Sequence, residues 1–169
     1  MNARLDTPPE SAPAARPLLR GLEVSDVDAI VAVEVRAYAF AWSRGNFIDS
    51  LAAGYLARVA HDDDGHVLGY FIAMPGVDEL HLLNLTVSPD HQGRGHGRAL
   101  LEAVIEAARA LPVSKLLLEV RESNQRARQL YAARGFAEIG RRRGYYPARE
   151  RREDALVMGL ALEARDGLD

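Results

Sequence analysis

Gln92-Gly93-Arg94-Gly95-His96-Gly97 stands between an apolar run, Leu80 to Val87, and a helical pattern from Arg98 to Leu111. Strand, glycine-rich turn and helix, in that order, build an anion site. Glycines let successive backbone N–H groups turn inward and approach a ligand closely. The helix start adds unpaired donors and a partial positive charge. A pyrophosphate fits such a cradle. A plain tight turn uses the same glycines, so the loop alone does not choose between the two. A Walker A loop ends in Gly-Lys-Ser/Thr, whereas this one ends Gly97-Arg98-Ala99. The dinucleotide fingerprint needs glycine where Arg98 stands, although Glu119 lies near the distance of its acidic partner.

Upstream of the loop, Leu80 and Leu82 alternate with His81, and then Leu83, Leu85 and Val87 alternate with Asn84 and Thr86. One extra residue flips the faces, as a β-bulge does. A strand buried on both faces gives the same pattern. Downstream, Leu100, Leu101, Val104, Ile105, Ala108 and Leu111 form a wide apolar stripe that Pro112 ends. Ser114 to Val120 then reads as a central strand. Ser123 or Asn124 caps a helix carrying Ala127, Leu130 and Tyr131, stopped by Gly135. Phe136 to about Arg143 and Ala155 to Leu162 read as two closing strands.

Earlier in the chain, Leu18 to Leu22 is a short strand. Ser25 or Asp26 caps a helix to about Tyr38, with Val27, Ile30, Val31 and Val35 at helical spacing. Ser43 caps a second helix with Phe47, Ile48 and Leu51, ended by Gly54. Tyr55 to Ala60 and Val67 to Met74 are strands around the turn Asp62-Asp63-Asp64-Gly65. Those carboxylates read as an acidic turn, because no Glu closes a calcium loop at the required spacing. Hairpins, one βαβ crossover and a closing hairpin predict a mixed sheet, not an all-parallel Rossmann sheet.

At 169 residues the chain fits one domain with a real core. Its net charge of −3 does not suggest wholesale nucleic-acid binding, and the absence of Cys excludes disulfide and thiol chemistry. No run approaches the roughly 20 apolar residues of a membrane helix, and the N-terminus lacks a signal-peptide core. A cytoplasmic protein without a membrane or direct nucleic-acid role is expected. Residues 1–16, with Pro8, Pro9 and Pro13, read as a disordered tail, and residues 17–164 as the domain.

The glycine hexapeptide resembles the Q/R-x-x-G-x-G/A motif of the GNAT superfamily of N-acetyltransferases, and the resemblance spans about residues 18 to 162. It is carried also by Leu83-Asn84-Leu85-Thr86-Val87, by Leu118 to Asn124, and by Leu130-Tyr131 with Gly135-Phe136. Arg36 to Ser43, Tyr145-Tyr146-Pro147 and Arg152 to Ala155 are similar to the RimI-type branch, which acetylates the N-terminal alanine of a small-subunit ribosomal protein. Ala41 departs from that branch, which usually has Pro before Trp-Ser.

The resemblance implies an α/β (α+β) GNAT fold. Its mixed, mostly antiparallel sheet has about seven strands, with helices on both faces and a splayed parallel pair. It implies acetyl-CoA as co-substrate, no metal, and the N-terminal segment of a ribosomal protein as acceptor. Gln92, Gly93, Arg94, Gly95, His96, Gly97 and Arg98 would hold the pyrophosphate. Leu85, Thr86 and Val87 would pair with the pantetheine arm, and Asn124 would contact the cofactor. Glu119 would be the base and Tyr131 the acid that protonates the leaving thiolate.

Each of these residues has a plainer reading. Tyr131 on the inner face of a helix is a core aromatic, and Asn124 is a helix cap. The spacing of seven puts the two on one side of the helix. Glu119 is an outward carboxylate on an alternating strand, or one at a buried strand end whose desolvation suits a base. A weak base is enough for an α-amine, whose neutralisation at pH 7 costs about 1 kcal/mol, against about 4.6 kcal/mol for lysine. Trp42 packs or contacts substrate, and Tyr145 and Tyr146 line a peptide groove or pack. Arg141, Arg142, Arg143, Arg149, Arg151 and Arg152 read as a solvated hairpin, with contact to ribosomal RNA or cofactor phosphate as the alternative. His91 and His96 flank the loop with no partner at metal spacing. Two other functions stay open: acetylation of lysine or a small amine, and a non-catalytic acyl-CoA-binding module.

Overall fold

The computed structural model describes residues 17–163. The expected tail, residues 1–16, and the last expected domain residue, 164, lie outside the described residues. The chain runs β1 (Leu19–Gly21), α1 (Val27–Ala37), α2 (Arg44–Ala52), β2 (Leu56–His61), β3 (Val67–Pro75) and β4 (Glu79–Val87). It continues with α3 (His96–Arg109), β5 (Lys115–Arg121), α4 (Gln125–Ala133), β6 (Ala137–Tyr146) and β7 (Glu153–Ala161). The strands form one sheet in the order β1-β2-β3-β4-β5-β7-β6. Every neighbouring pair is antiparallel except β4–β5.

Each face of the sheet buries its own cluster. Val27, Ile30, Phe47, Val59, Tyr70 and Ile72 close the face under α1 and α2. The expected α3 stripe, Leu100, Leu101, Val104, Ile105 and Ala108, is buried against Leu116 and Leu118 on the other face, with Tyr131 of α4 beside it. Each such aliphatic side chain stabilises the fold by about 1.5–3 kcal/mol.

The expected bulge exists and decides the architecture. Ile72 pairs with Asn84 but Ala73 with Leu82, so Leu83 is the extra residue. Leu80 and Leu82 pack on the α3 side, Leu83 on the α1–α2 side, and Leu85 and Val87 return to the α3 side. The parallel pairing runs from Glu79↔Lys115 to Leu82↔Leu118 and stops there. Beyond it β4 stays with β3, and β5 stays with β7. The bulge bends β4 away from β5, and a gap opens.

Four local readings are corrected. In α1, Val33 and Glu34 are buried while Val35 is exposed, because the inward stripe runs Val27, Ile30, Val33 and Glu34. Neither Ser25 nor Asp26 caps α1 with its side chain. The Asp26 carboxylate accepts instead from Arg20 at 2.7 and 2.8 Å and from Glu23 N–H. Helix α3 begins at His96 rather than Arg98, because Gly95 at φ 86° supplies its cap. Tyr145 and Tyr146 belong to the end of β6, beside an irregularity at Gly144, rather than to the loop. Ser43 caps α2 as expected, accepting from Asn46 N–H. Among the described residues no helix is long and apolar enough to cross a membrane.

Candidate active site

Where β4 and β5 part, a cleft of about 280 Å³ opens, with Glu119 and Arg121 on its β5 wall and Asn124 and Tyr131 presented by α4. Two larger hollows lie elsewhere, one beside Asp78 and Arg109, the other between Leu51 and Ala107. Neither is lined by any candidate catalytic, cofactor-binding or substrate-binding residue.

The loop between β4 and α3 is a cradle of unused donors. None of the N–H groups from Gln92 to Arg98 donates a hydrogen bond among the described residues. Gly93 and Gly95 take φ of 77° and 86°, in the left-handed region where glycine carries no steric cost. Gly97 sits in the first turn of α3, and a Cβ there would lie 3.6 Å from Val87. Arg94 and Arg98 are exposed and form no salt bridge among the described residues. Gln92 ties the loop down, donating to Val87 O at 3.2 Å and accepting from Arg126 at 3.5 Å. Burial, then His91 and Arg94, lowers the pKa of His96, which favours the neutral imidazole.

The last turn of β4 points backbone groups into the gap. Ser88 N–H bonds Leu68 O across the β3 edge. Backbone direction alternates along an antiparallel strand, so Thr86 also faces β3, while Leu85 and Val87 face the gap. Two side chains already cover carbonyls there: Gln92 on Val87, and the Tyr38 hydroxyl 3.3 Å from Leu85 O. Thr86 uses its own hydroxyl on the opposite face, donating to Asn84 at 2.7 Å.

Tyr131 is 8% exposed, and no hydrogen bond is among the influences on its hydroxyl. Burial, then Tyr38 and Tyr146, holds that hydroxyl well above the ordinary tyrosine range. Asn124 does cap α4, accepting from Ala127 N–H at 3.2 Å. Its side chain still lines the cleft with Tyr131, as the spacing of seven requires. Glu119 stands one residue beyond the last β4–β5 pair. Its side chain is 10% exposed, with Arg142 Nε at 2.9 Å and His81 Nε2 at 3.9 Å.

The opposite wall comes from the α1–α2 connection and the β6–β7 hairpin. Trp42 packs on Phe47, ring centres 5.3 Å apart, and lines the cleft as well. Tyr146 lines it too, and burial followed by Glu119 pushes its pKa up to about 12. Tyr145 stacks edge-on against Tyr146 but does not line the cleft. The basic run is more than a solvated hairpin. Arg141 pairs with Glu122 and Asp154, Arg142 with Glu119, and Arg152 bonds the carbonyls of Gly144 and Tyr145.

Sequence reasoning missed Glu34, Tyr38, Phe40, Asn84 and Arg121 as cleft residues. Glu34 is 1% exposed and accepts from Trp42 N–H at 3.1 Å, from the Tyr70 hydroxyl and from the Asn84 amide at 3.3 Å. A carboxylate on the apolar stripe of a helix was the available signal, since an unpaired buried charge costs several kcal/mol. Asp62, Asp64 and His66 bring one potential ligand atom each within 4.8 Å. Asp62 there accepts from the N–H groups of Asp64 and His66, which hold its carboxyl below the ordinary range.

A splayed parallel pair, a glycine-rich turn at a helix start, and a carboxylate and a tyrosine lining the gap together form the architecture of an acyl-CoA-dependent acetyltransferase. The sequence pattern of the acetyltransferase (GNAT) family matches residues 27–136, and the chain belongs to that family. It is 40% identical over 144 residues to the ribosomal protein bS18-alanine N-acetyltransferase of Escherichia coli strain K12, covering 85% of this chain and 97% of that protein. The crystal structure of the E. coli ribosomal-protein-S18-alanine N-acetyltransferase superposes with a TM-score of 0.82 at 38% identity, covering 90% of this chain and 98% of that one. A phosphinothricin acetyltransferase from Sinorhizobium meliloti, solved with acetyl-CoA, shares the fold at 21% identity, with a TM-score of 0.74 and coverage of 88% and 89%.

Proposed function

We propose that this protein transfers the acetyl group of acetyl-CoA to the N-terminal α-amine of a protein beginning with alanine, with ribosomal protein bS18 as the acceptor. The observation that carries the reading is the placement of Glu119 and Tyr131 in one cleft at the end of the β4–β5 pairing. The likeness to the E. coli enzyme over most of both chains supports the acceptor.

The N–H groups of Gln92 to Arg98 receive the pyrophosphate, with Arg94 and Arg98 adding charge. The gap-facing backbone of Leu85 and Val87 pairs with the pantetheine arm, and the Asn124 side chain lies beside it. Glu119 takes a proton from the acceptor ammonium, directly or through a water. The neutral nitrogen attacks the thioester carbonyl carbon, and the carbon–sulfur bond then breaks. Tyr131 gives its proton to the departing thiolate, and the second proton lost by the nitrogen as the amide forms restores the Tyr131 hydroxyl. A hydroxyl held above its ordinary range is protonated at neutral pH, the state a donor needs. Transfer is direct, and the absence of Cys argues against a thiol-borne acetyl-enzyme.

Two peptides test the acceptor under mass spectrometry with acetyl-CoA: one with a free N-terminal alanine, one with a blocked N-terminus and an internal lysine. The first is acetylated faster at every pH between neutrality and mild alkali. Raising the pH shrinks the difference in protonation between the two amines but leaves groove selectivity intact. Faster acetylation of the lysine peptide across that range overturns the acceptor and leaves the acetyltransferase reading standing. Glu119→Gln flattens the acidic limb of the pH–rate profile, and an unchanged profile assigns the base elsewhere.

A further inference from the structure

Arg121 is the last residue of β5, two places beyond Glu119, and none of the steps above uses it. Its guanidinium carbon lies 4.5 Å from the centre of the Tyr146 ring and 5.7 Å from that of Phe40. Phe40 comes from the α1–α2 connection, whereas Tyr146 ends β6. The same guanidinium donates to Pro147 O at 2.9 Å and to Glu153 at 3.2 Å, and Glu153 also accepts from Ser123 N–H at 2.7 Å. A planar cation that stacks on aromatic faces while its edge donates is a role lysine cannot fill.

Phe40, Arg121, Tyr146 and Pro147 all line the cleft that holds Glu119. From the β5 wall, two residues beyond the base, Arg121 thus reaches Phe40, Tyr146 and Pro147 of the opposite wall, a contact that bridges the groove. A chain terminus reaches the base by sliding its end beneath such a bridge. An internal lysine must pass its side chain under while its backbone, continuing in both directions, stays outside. Phe40 is 46% exposed although it belongs to this contact, so its outer surface is open to an acceptor chain.

We propose that Arg121 is a positioning residue that sets acceptor specificity, holding Phe40 and Tyr146 across the groove so that a free chain end is admitted in preference to an internal side chain. The inference rests on the N-terminal acceptor reading above. Its test is the ratio of kcat/KM for the two peptides just described, in the full-length wild type, Arg121→Met, Arg121→Lys and Phe40→Ala. Removing the bridge lowers the ratio about tenfold or more, the scale of one lost pocket contact. The loss lies in the KM of the N-terminal peptide, while acetyl-CoA affinity by calorimetry stays at the wild-type value. Arg121→Lys does not rescue, and the effects of Arg121→Met and Phe40→Ala overlap instead of adding. If Arg121→Met does not fold, the exposed Phe40→Ala decides alone. An unchanged ratio in the folded variants overturns the proposal. So does a loss of kcat equal for both peptides, which is what a purely structural Arg121 gives. Wild-type preference for the lysine peptide refutes the acceptor reading instead, and is visible before any variant is made.

Discussion

In the β4–α3 loop that forms one wall of the candidate site, the N–H groups of Gln92 through Arg98 have no acceptor among the described residues. Toward α1 and the β6–β7 hairpin, the side chains of Glu34, Tyr70, Asn84, Thr86 and Tyr38 are bonded to one another, and Arg121, Glu153 and Ser123 form a second connected set. One wall is open backbone and the other is closed side-chain network. Unpaired backbone donors suit a ligand common to many enzymes, because any residue supplies an N–H and only glycine's freedom is required. A closed network suits a groove of fixed shape, because each partner locks the next one's rotamer. The difference implies that substitutions on the first wall change affinity with little loss of stability, whereas those on the second change both.

Tyr131 stands between the walls and gives the largest effect. Tyr131→Phe removes a hydroxyl that has no structural partner, so packing and melting temperature hold while kcat falls about 10²–10⁴-fold. Rapid-quench kinetics alongside thermal unfolding reads both. A variant that loses stability and keeps its rate returns Tyr131 to the core.

Glu34→Ala strikes the closed wall. It leaves the Tyr70 hydroxyl, the Trp42 N–H and the Asn84 amide buried without their acceptor, at about 2–4 kcal/mol in total. Urea unfolding measures the loss, and the acceptor KM rises with it because Trp42 is released. A cost below about 1 kcal/mol means the network relaxes or water replaces the carboxylate.

Gly97→Ala strikes the open wall and separates affinity from stability. Gly97 is helical, and its Cβ would stand at ordinary contact distance, 3.6 Å from Val87 and 3.7 Å from Leu130. Alanine therefore gains up to about 1 kcal/mol of helix propensity while narrowing the cradle. Acetyl-CoA affinity falls about tenfold, which is 1.4 kcal/mol. Calorimetry and unfolding moving in opposite directions is the expected signature. A parallel loss of both means that the cradle, too, is held by packing.

The smallest effect concerns pH, at the foot of α1. The Arg20 guanidinium, opposed in part by burial, holds the Asp26 carboxyl below its ordinary range. A folded-state pKa below the unfolded one stabilises above the unfolded value, near pH 4, and that stability is lost as pH falls through the folded value. Asp26→Asn costs about 1 kcal/mol at neutral pH, since Arg20 is half exposed and screened. The gap from wild type closes as the pH drops below about 4. A gap that persists in acid assigns the effect to the Glu23 N–H bond rather than to charge.

The run of elements, the bulge and the glycine turn were legible because each rests on local chemistry. A phase slip at Leu83, glycines at Gly93 and Gly95, and an apolar stripe from Leu100 to Ala108 are short-range patterns that the backbone obeys wherever it sits. Boundaries were less legible. Helix α3 starts at His96 because the left-handed Gly95 turns the chain into the helix while its first N–H groups stay unpaired. The inward face of α1 was misassigned because four valines offered two stripes, and the contact with Tyr70 and Asn84 selected the one that carries Glu34.

The sequence by itself pointed to the elements and the glycine turn, because periodicity and glycine placement act within about a dozen residues, and its resemblance to the acetyltransferase family pointed to Glu119 and Tyr131 as base and acid. Only the tertiary structure decided what surrounds them. Glu34 finds partners 36 and 50 residues away, and Arg121 finds Glu153 32 positions on. The partners of such contacts cannot be read from local pattern, although a carboxylate on an apolar stripe marks where one is needed. The contacts exist because the bulge at Leu83 parts two strands, and the side chains that fill the opening come from elements the sequence holds far apart.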